Sequence, residues 1–406
     1  MAHPIIIIGS GLAGWTTVRE FRKLDPSTPV MLITADNGDF YAKPSLSNAF
    51  AQKRGPAQLV TTPAASMAKA LGVTLLPRTW VTALDPASRT VSTSAGDYPY
   101  SQLVLATGAN AIRVPLAGDA ADQVQSVNSL NDFSEFHARL HPVGTHTGAR
   151  RRHVLIMGAG LIGCEFANDL VSAGYQVSVA DPATGPIAAL LPVAASTQLR
   201  DALTALGVIW HFGTSVVGVH RHPDAAADTG QASLQVELKN GHMAQVDTVL
   251  SAIGLRANTA LAKAAGLVCE RGVLVDERLQ TSAPGVYALG DGAQYARGLW
   301  ADAADMAVCD GHSLPFVMPI MSAARALAAT LAGNPTAVVF PLMPVAIKTP
   351  ALPIVVAAPA PGTPGQWRMP EPGVWQFEDA VGQQLGFALT GQQTSRRSEQ
   401  TKRMTA

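Results

Sequence analysis

Cysteine is scarce in this chain. The three present, at positions 164, 269 and 309, form no CxxC pair and show no metal-ligand spacing. That excludes a disulfide framework and suits a reducing, cytoplasmic setting. Charge is scarce too. Asp, Glu, Lys and Arg together make up 14% of residues, 29 acidic against 29 basic. Without a basic excess there is no electrostatic footprint for nucleic acid. No apolar run approaches the ~20 residues that cross a bilayer. No signal peptide is expected, because the first apolar run lacks a positive stretch before it and leads straight into a glycine loop.

What is abundant is apolar mass. Hydrophobic residues are 48% of 406 positions, enough for two or three domains with buried cores. The chain is organised around its opening. Ile5 to Ile8 form a β-branched run, the composition of a strand buried on both faces. The loop Gly9-Ser10-Gly11-Leu12-Ala13-Gly14 follows at GxGxxG spacing, and Leu12–Leu24 has helical periodicity. Strand, glycine turn and helix together form a dinucleotide-binding signature, in which the helix N-terminus offers N–H groups to a pyrophosphate. A second parallel strand over residues 30–34 ends near Thr34, Ala35 and Asp36. Asp36 reads equally as an acid for a ribose and as the surface acid of an Ala-Asp-Asn-Gly-Asp turn. Lys43 precedes Pro44 and is expected to be extended. Strands are expected at Val73–Leu76 and over 80–84, 90–94 and 98–105. The last closes on Ala106-Thr107-Gly108, beside the first glycine loop.

Residues 109–152 read as a crossover with an amphipathic helix over Leu130–Leu140. His137 and His141 are four apart, but Pro142 follows and no third ligand is evident. They are expected as exposed helix-end histidines. The opening pattern then repeats: strand His153–Met157, then Gly158, Gly160, Leu161, Ile162 and Gly163. Asp181 ends the next strand, where an acid would bind a ribose 2′-hydroxyl and repel a 2′-phosphate, favouring NADH over NADPH. Cys164 reads as a packed small hydrophobe. Residues 223–230 read as a polar loop, and a later strand ends at Gly254. A third signal is the strand ending in Gly290-Asp291, whose carboxylate can accept from a sugar or ribitol hydroxyl. Val317–Leu331 is a helix candidate. Residues 338–391 are strand-like and proline-rich, and the tail from Gln392 is expected to be mobile.

The motifs IIIIGSGLAG, ITADNGDFYAKPSLS, IRVPLAGDA, IMGAGLIGCEFANDL, GVYALGDGA, FVMPIMSAARALAATLAGNP and MPVAIKTP, taken as a set, resemble the two-dinucleotide-binding-domain flavoprotein reductases. The likeness is most specific to the branch that reduces rubredoxin. It implies an α/β fold with two Rossmann-like domains: FAD in 1–112 and 253–325, NAD(H) in the inserted 113–252. A small C-terminal α+β domain over 326–392 and a flexible 393–406 tail would complete it. It implies hydride transfer from NADH to FAD, then single electrons to rubredoxin in an alkane hydroxylase or similar chain. A ferredoxin-type acceptor stays open, as does a nucleotide-sensing flavoprotein without turnover. The resemblance also implies roles. Glu165, Lys43 and Lys348 would stand at the reacting rings, Val81 near the adenine and Asp291 at the ribitol, with Val317 among the cofactor contacts. The related ferredoxin reductases carry a lysine where this chain has Asn48, so Lys348 becomes the candidate positive charge beside Glu165. Residues 300–313 look like an insertion. No CxxxxC lies near the first helix, which excludes a dithiol relay.

Overall fold

The computed structural model describes residues 3–141, 151–222, 233–295 and 317–405. The polar loop over 223–230, the insertion over 300–313 and Cys309 lie outside them.

The chain forms two compact units. The first comprises residues 1–42, 60–110 and 255–343; the second comprises 43–59, 111–254 and 344–406. In the first, a parallel sheet runs in the order Val286–Ala288, Gln102–Leu105, Ile5–Ile8, Val30–Ile33, Val73–Leu76. The isoleucine strand sits at its centre, with all four residues buried. That explains its continuous rather than alternating apolar composition, because helices or sheets cover both faces. Helix Leu12–Leu24 packs against helix Val317–Leu331. The unit also holds an antiparallel meander of Val81–Asp85, Thr90–Thr93 and Gly96–Pro99. The single run expected over 98–105 is thus two strands, broken at Tyr100 and Ser101.

The second unit repeats the parallel plan in the order Val208–Phe212, Gln176–Asp181, His153–Met157, Thr248–Ser251. Beside it lies the antiparallel sheet Val216–Arg221, Leu234–Leu238, Met243–Val246. The C-terminal sheet, also of this unit, is antiparallel in the order Val345–Ile347, Ile354–Ala357, Gln384–Thr390, Val374–Glu378, Gln366–Glu371.

Three expectations need correction. The boundary at 325 falls inside the continuous helix Val317–Leu331, whose packing on Leu12–Leu24 keeps it with the first unit. The tail is helical over Arg397–Thr405 rather than mobile. Gln400 is fully buried there and accepts from Gln376 at 2.9 Å and Gln384 at 3.1 Å. Lys43 is not extended but opens the 3₁₀ helix Lys43–Asn48. Proline suits a first helical turn, where its fixed φ is compatible and its missing N–H has no partner to lose.

Candidate functional site

The first glycine loop turns sharply out of the central strand. Gly9 has φ +109°, and its N–H donates to the Ile33 carbonyl at 2.8 Å. A side chain on Gly9 would run into the Ala106 carbonyl, and one on Gly14 into the Gly9 carbonyl. Gly11 is different: a Cβ there meets nothing within 4 Å. The loop is therefore closed where strand and helix pack and open at its middle glycine. Ser10 Oγ donates to Asp36 Oδ1 at 2.9 Å and lies 2.9 Å from Thr34 Oγ1. Thr34 Oγ1 at 2.6 Å and the Gly38 N–H at 2.9 Å donate to the same Asp36 oxygen. Ala35 is exposed between them.

The second loop has the same backbone plan. The Gly158 N–H donates to the Ala180 carbonyl at 2.8 Å. A side chain on Gly163 would run into the Gly158 carbonyl, while Gly160 is open for 4 Å. Asp181 binds the loop itself. Its Oδ2 accepts from the Ala159 N–H at 2.6 Å, and its Oδ1 from the Ala183 N–H at 2.7 Å. Leu161 is half-buried and Ile162 is 46% exposed at the helix start. Cys164 is buried, as expected, and its thiol donates to the Ala159 carbonyl at 3.3 Å. Burial first, then the charges of Asp181 and Glu165, push that thiol far above its ordinary range.

Helix Leu161–Ser172 then presents three buried polar side chains: Glu165, Asn168 and Asp169. Their i, i+3, i+4 spacing puts them on one face. Glu165 Oε2 accepts from Ser47 Oγ and from Lys348 Nζ, each at 2.6 Å. Its Oε1 accepts from the Lys348 backbone N–H at 3.0 Å. Lys348 Nζ also reaches Ser47 Oγ at 3.0 Å and the Pro44 carbonyl at 2.6 Å. A carboxylate 4% exposed is thus matched by one ammonium and two further donors, the condition under which a buried charge is tolerated. Asn168 Oδ1 accepts from Ala351 N–H at 3.0 Å. Asp169 accepts from the Phe50 and Ala51 N–H groups, both at 2.9 Å. Burial raises its carboxyl above the ordinary range, and the backbone N–H groups and Arg54 oppose that.

Other predicted residues take these places. Ala106, Thr107 and Gly108 follow strand Gln102–Leu105, and Thr107 Oγ1 donates to the Asn258 carbonyl at 3.1 Å. Gly254 has φ +113° and accepts from Ile112 N–H at 3.0 Å. Gly290 has φ +79°, and its N–H donates to Tyr295 Oη at 3.0 Å. Asp291 lies in the short 3₁₀ turn Gly290–Gly292. Val81 opens its meander strand half-buried, and Val317 is 40% exposed at the head of its helix. Lys43 is half-buried. Asn48 Oδ1 accepts from Arg54 at 3.3 Å. His137 is half-buried rather than exposed, because its ring stacks on His141 at 4.3 Å and on Phe50 at 5.6 Å. Ser47, Asn168 and Asp169 were not singled out from sequence. For Asn168 and Asp169 the signal was there: polar residues on one face of an otherwise apolar helix.

The model of the pyridine nucleotide-disulphide oxidoreductase family matches residues 3–307. The chain belongs to this family. It is an oxidoreductase, and residues 337–404 match a rubredoxin binding C-terminal domain. Its relatives include the rubredoxin-NAD(+) reductase of Alcanivorax borkumensis, 42% identical over 407 residues, covering 100% of this chain and 99% of that protein. The same activity names a relative in Acinetobacter baylyi, 42% identical, covering 84% of this chain and 81% of that one. The nitric oxide reductase FlRd-NAD(+) reductase of Aeromonas hydrophila is 39% identical, with 84% and 80% covered. Among solved structures, the covalent putidaredoxin reductase–putidaredoxin complex matches with TM-score 0.84 at 22% identity, covering 100% of this chain and 94% of that one. The NADH:rubredoxin oxidoreductase of Clostridium acetobutylicum matches with TM-score 0.77 at 18% identity, covering 100% and 95%. These two likenesses show a shared fold. Among the described residues, no helix is long and apolar enough to cross a membrane.

Proposed function

We propose that this chain passes electrons from NADH, through FAD, singly to rubredoxin. The observation that carries this reading is the pair of glycine loops, one in each unit, each closed at its outer glycines and open at its middle one. A diphosphate fits where a Cβ would meet nothing, and the helix N-terminus behind it supplies N–H groups and a positive dipole end.

FAD is assigned to the first unit. Gly9, Ser10, Gly11, Leu12 and Gly14 hold its diphosphate, with Thr34, Ala35 and Asp36 toward the ribose. Val81 stands at the adenine, with Ala106, Thr107, Gly108, Gly290, Asp291 and Val317 along the rest. NADH is assigned to the second, on Gly158, Gly160, Leu161, Ile162 and Gly163, with Asp181 at the ribose and Gly254 flanking. The Asp181 carboxylate would repel a 2′-phosphate, which favours NADH. When bound, the flavin accepts a hydride from the nicotinamide and releases electrons one at a time. The chain's own part is to align and to fix charge. Glu165 and Lys348 hold one negative and one positive charge in a set geometry, and Ser47 fixes the carboxylate's direction. Lys43 is assigned to the same site. We place the reaction in the cytoplasm, which the cysteine usage supports, and in an alkane hydroxylase or similar chain, which the acceptor supports. Alkane-dependent oxygen uptake by an extract lacking the protein, restored on adding it, checks that placement.

Stopped-flow absorbance at the flavin band tests the reaction itself. Fast bleaching by NADH and fast recolouring by oxidised rubredoxin is the expected result. Bleaching without a response to rubredoxin moves the acceptor to a ferredoxin. Absence of bleaching by NADH overturns the proposal.

A further inference from the structure

We propose that Ile187 is a positioning residue for NADH, acting together with Asp181 on the Ala159 peptide of the second glycine loop. This rests on the reading that the second loop takes NADH. Ile187 has φ +53°, a left-handed backbone that a β-branched residue rarely adopts. It is buried, at 4% exposure. Such outliers persist only where their surroundings over-determine them, and they gather at ligand clamps.

The surroundings are explicit. The Ile187 N–H donates to the Ala159 carbonyl at 2.8 Å. The Ile187 carbonyl accepts from the Leu190 and Leu191 N–H groups at 3.0 and 3.1 Å. Just before it, the Pro186 carbonyl accepts from Ser196 Oγ at 2.6 Å. From the other end of the segment, Asp181 Oδ2 accepts from the Ala159 N–H at 2.6 Å. Residues 181–187 therefore hold both polar backbone groups of Ala159, the residue between the closed Gly158 and the open Gly160. A loop fixed in advance loses no freedom when a diphosphate settles on it. The left-handed turn at Ile187 is what aims its N–H at the loop.

Asp181 then has two tasks. Each carboxylate oxygen spends one acceptor site on a backbone N–H and keeps another for a ribose hydroxyl. Removing the acid would remove repulsion of a 2′-phosphate, and it would also release the loop.

The test uses the FAD-loaded enzyme with NADH varied and ferricyanide as a one-electron acceptor. Ile187→Ala keeps the Cβ that disfavours the left-handed region and removes the packing that enforces it. The N–H swings off Ala159, and KM for NADH rises by about tenfold, the size of the left-handed penalty, with kcat unchanged. Ile187→Gly leaves a larger gap but carries no left-handed penalty, so KM returns toward that of the parent. A side chain needed only for packing gives the reverse order, glycine worse than alanine, and overturns the proposal. Asp181→Ala should raise KM for NADH, because the Ala159 N–H loses its acceptor; a KM for NADH left at the parent's value overturns the anchoring role. Gly160→Asp separates the two layers of the argument. If that added carboxylate leaves KM for NADH unchanged, it is the assignment of the second loop that fails.

Discussion

The two glycine loops share a backbone and differ in what holds it. Each takes the N–H of its first glycine to the carbonyl of the neighbouring strand at 2.8 Å. In the first, the acid at the next strand's end holds a side chain: Asp36 accepts from Ser10 Oγ. In the second there is no hydroxyl to hold, because Ala159 stands where Ser10 does, and Asp181 takes the peptide N–H itself. One loop is fastened through a rotatable hydroxyl, the other through the main chain. The helices behind them differ as well. Two residues past the third glycine, the first helix has buried Thr16, whose hydroxyl points to Met321 Sδ at 3.9 Å. The second has buried Glu165, paired with Lys348. The duplicated fold thus carries an uncharged helix start in one copy and a charged one in the other. We read that as the difference between a copy that only holds a cofactor and a copy that also sets charge.

The largest expected effect breaks the two loops one at a time. Gly11 and Gly160 are both helix N-caps with extended backbone and open space around them. Aspartate is a favoured N-cap, so Gly11→Asp and Gly160→Asp should fold. Each sets a like charge against a diphosphate, which costs several kcal/mol, on the order of a hundredfold or more in affinity. Gly11→Asp should purify colourless. Gly160→Asp should stay yellow and lose reduction by NADH. If both variants lose flavin, the division of cofactors between the units is wrong.

Next in size is the charged helix start. Lys348→Met leaves Glu165 buried with Ser47 and a backbone N–H alone. Lys348 is 31% exposed, so the loss falls below that of a fully buried pair, at about 2 kcal/mol of unfolding free energy. Denaturant unfolding of the flavin-loaded protein measures it, and the slowing of flavin bleaching by NADH measures the charge's part in the reaction. Thr16→Val is the matching change in the other helix and should cost under about 1 kcal/mol. Equal losses in the two helices would erase the distinction drawn between them.

How much of this was legible beforehand follows from the range of the interactions. Both strand–loop–helix units and the Leu130–Leu140 and Val317–Leu331 helices were readable because their signals are local: β-branched runs, glycine spacing and 3.6-residue periodicity. The Glu165 site was only half readable. Glu165 and Lys348 came from resemblance, and Ser47 carried no signal of its own, since its partners lie far away in sequence. The turn at Lys43 was missed because the proline rule for the preceding residue competes with proline's fitness for a first helical turn. The tail was missed because its composition is polar throughout, and only the packing of Gln400 against two other glutamines reveals why it is ordered. Ile187 could not have been found at all. A left-handed isoleucine is forced by its surroundings, not announced by its neighbours in sequence.

A smaller effect tests the rotatable fastening. Ser10→Ala converts the first loop's centre to that of the second without moving Asp36. The carboxylate keeps Thr34 and the Gly38 N–H, so the loss is one hydrogen bond, about 1 kcal/mol, or roughly a fivefold weaker hold on FAD. Flavin release measured by fluorescence checks it. A loss as large as that from Gly11→Asp would mean that the first loop, too, depends on its acid for its shape.

The smallest effect concerns pH, and it belongs to the second unit. His137 stacks on His141 and Phe50. Burial, and then the charge of His141, hold its imidazolium below the ordinary value. A base whose folded pKa is depressed lends stability above its ordinary titration range and loses it as pH falls through the folded value. Asp169 runs the other way. Burial raises its carboxyl, so its contribution is greatest in acid and declines as pH rises through and above the ordinary carboxylate range. Between pH 7.5 and about 5.5 His137 acts in the same direction as His211, which burial also holds below its ordinary value, and the melting temperature should fall on acidification. His137→Phe keeps a ring against Phe50 and removes the proton site, so it should flatten that fall. An unchanged slope would place the acid sensitivity elsewhere, with His211, whose imidazolium burial and then the charge of His242 also hold below the ordinary value, the next side chain to replace.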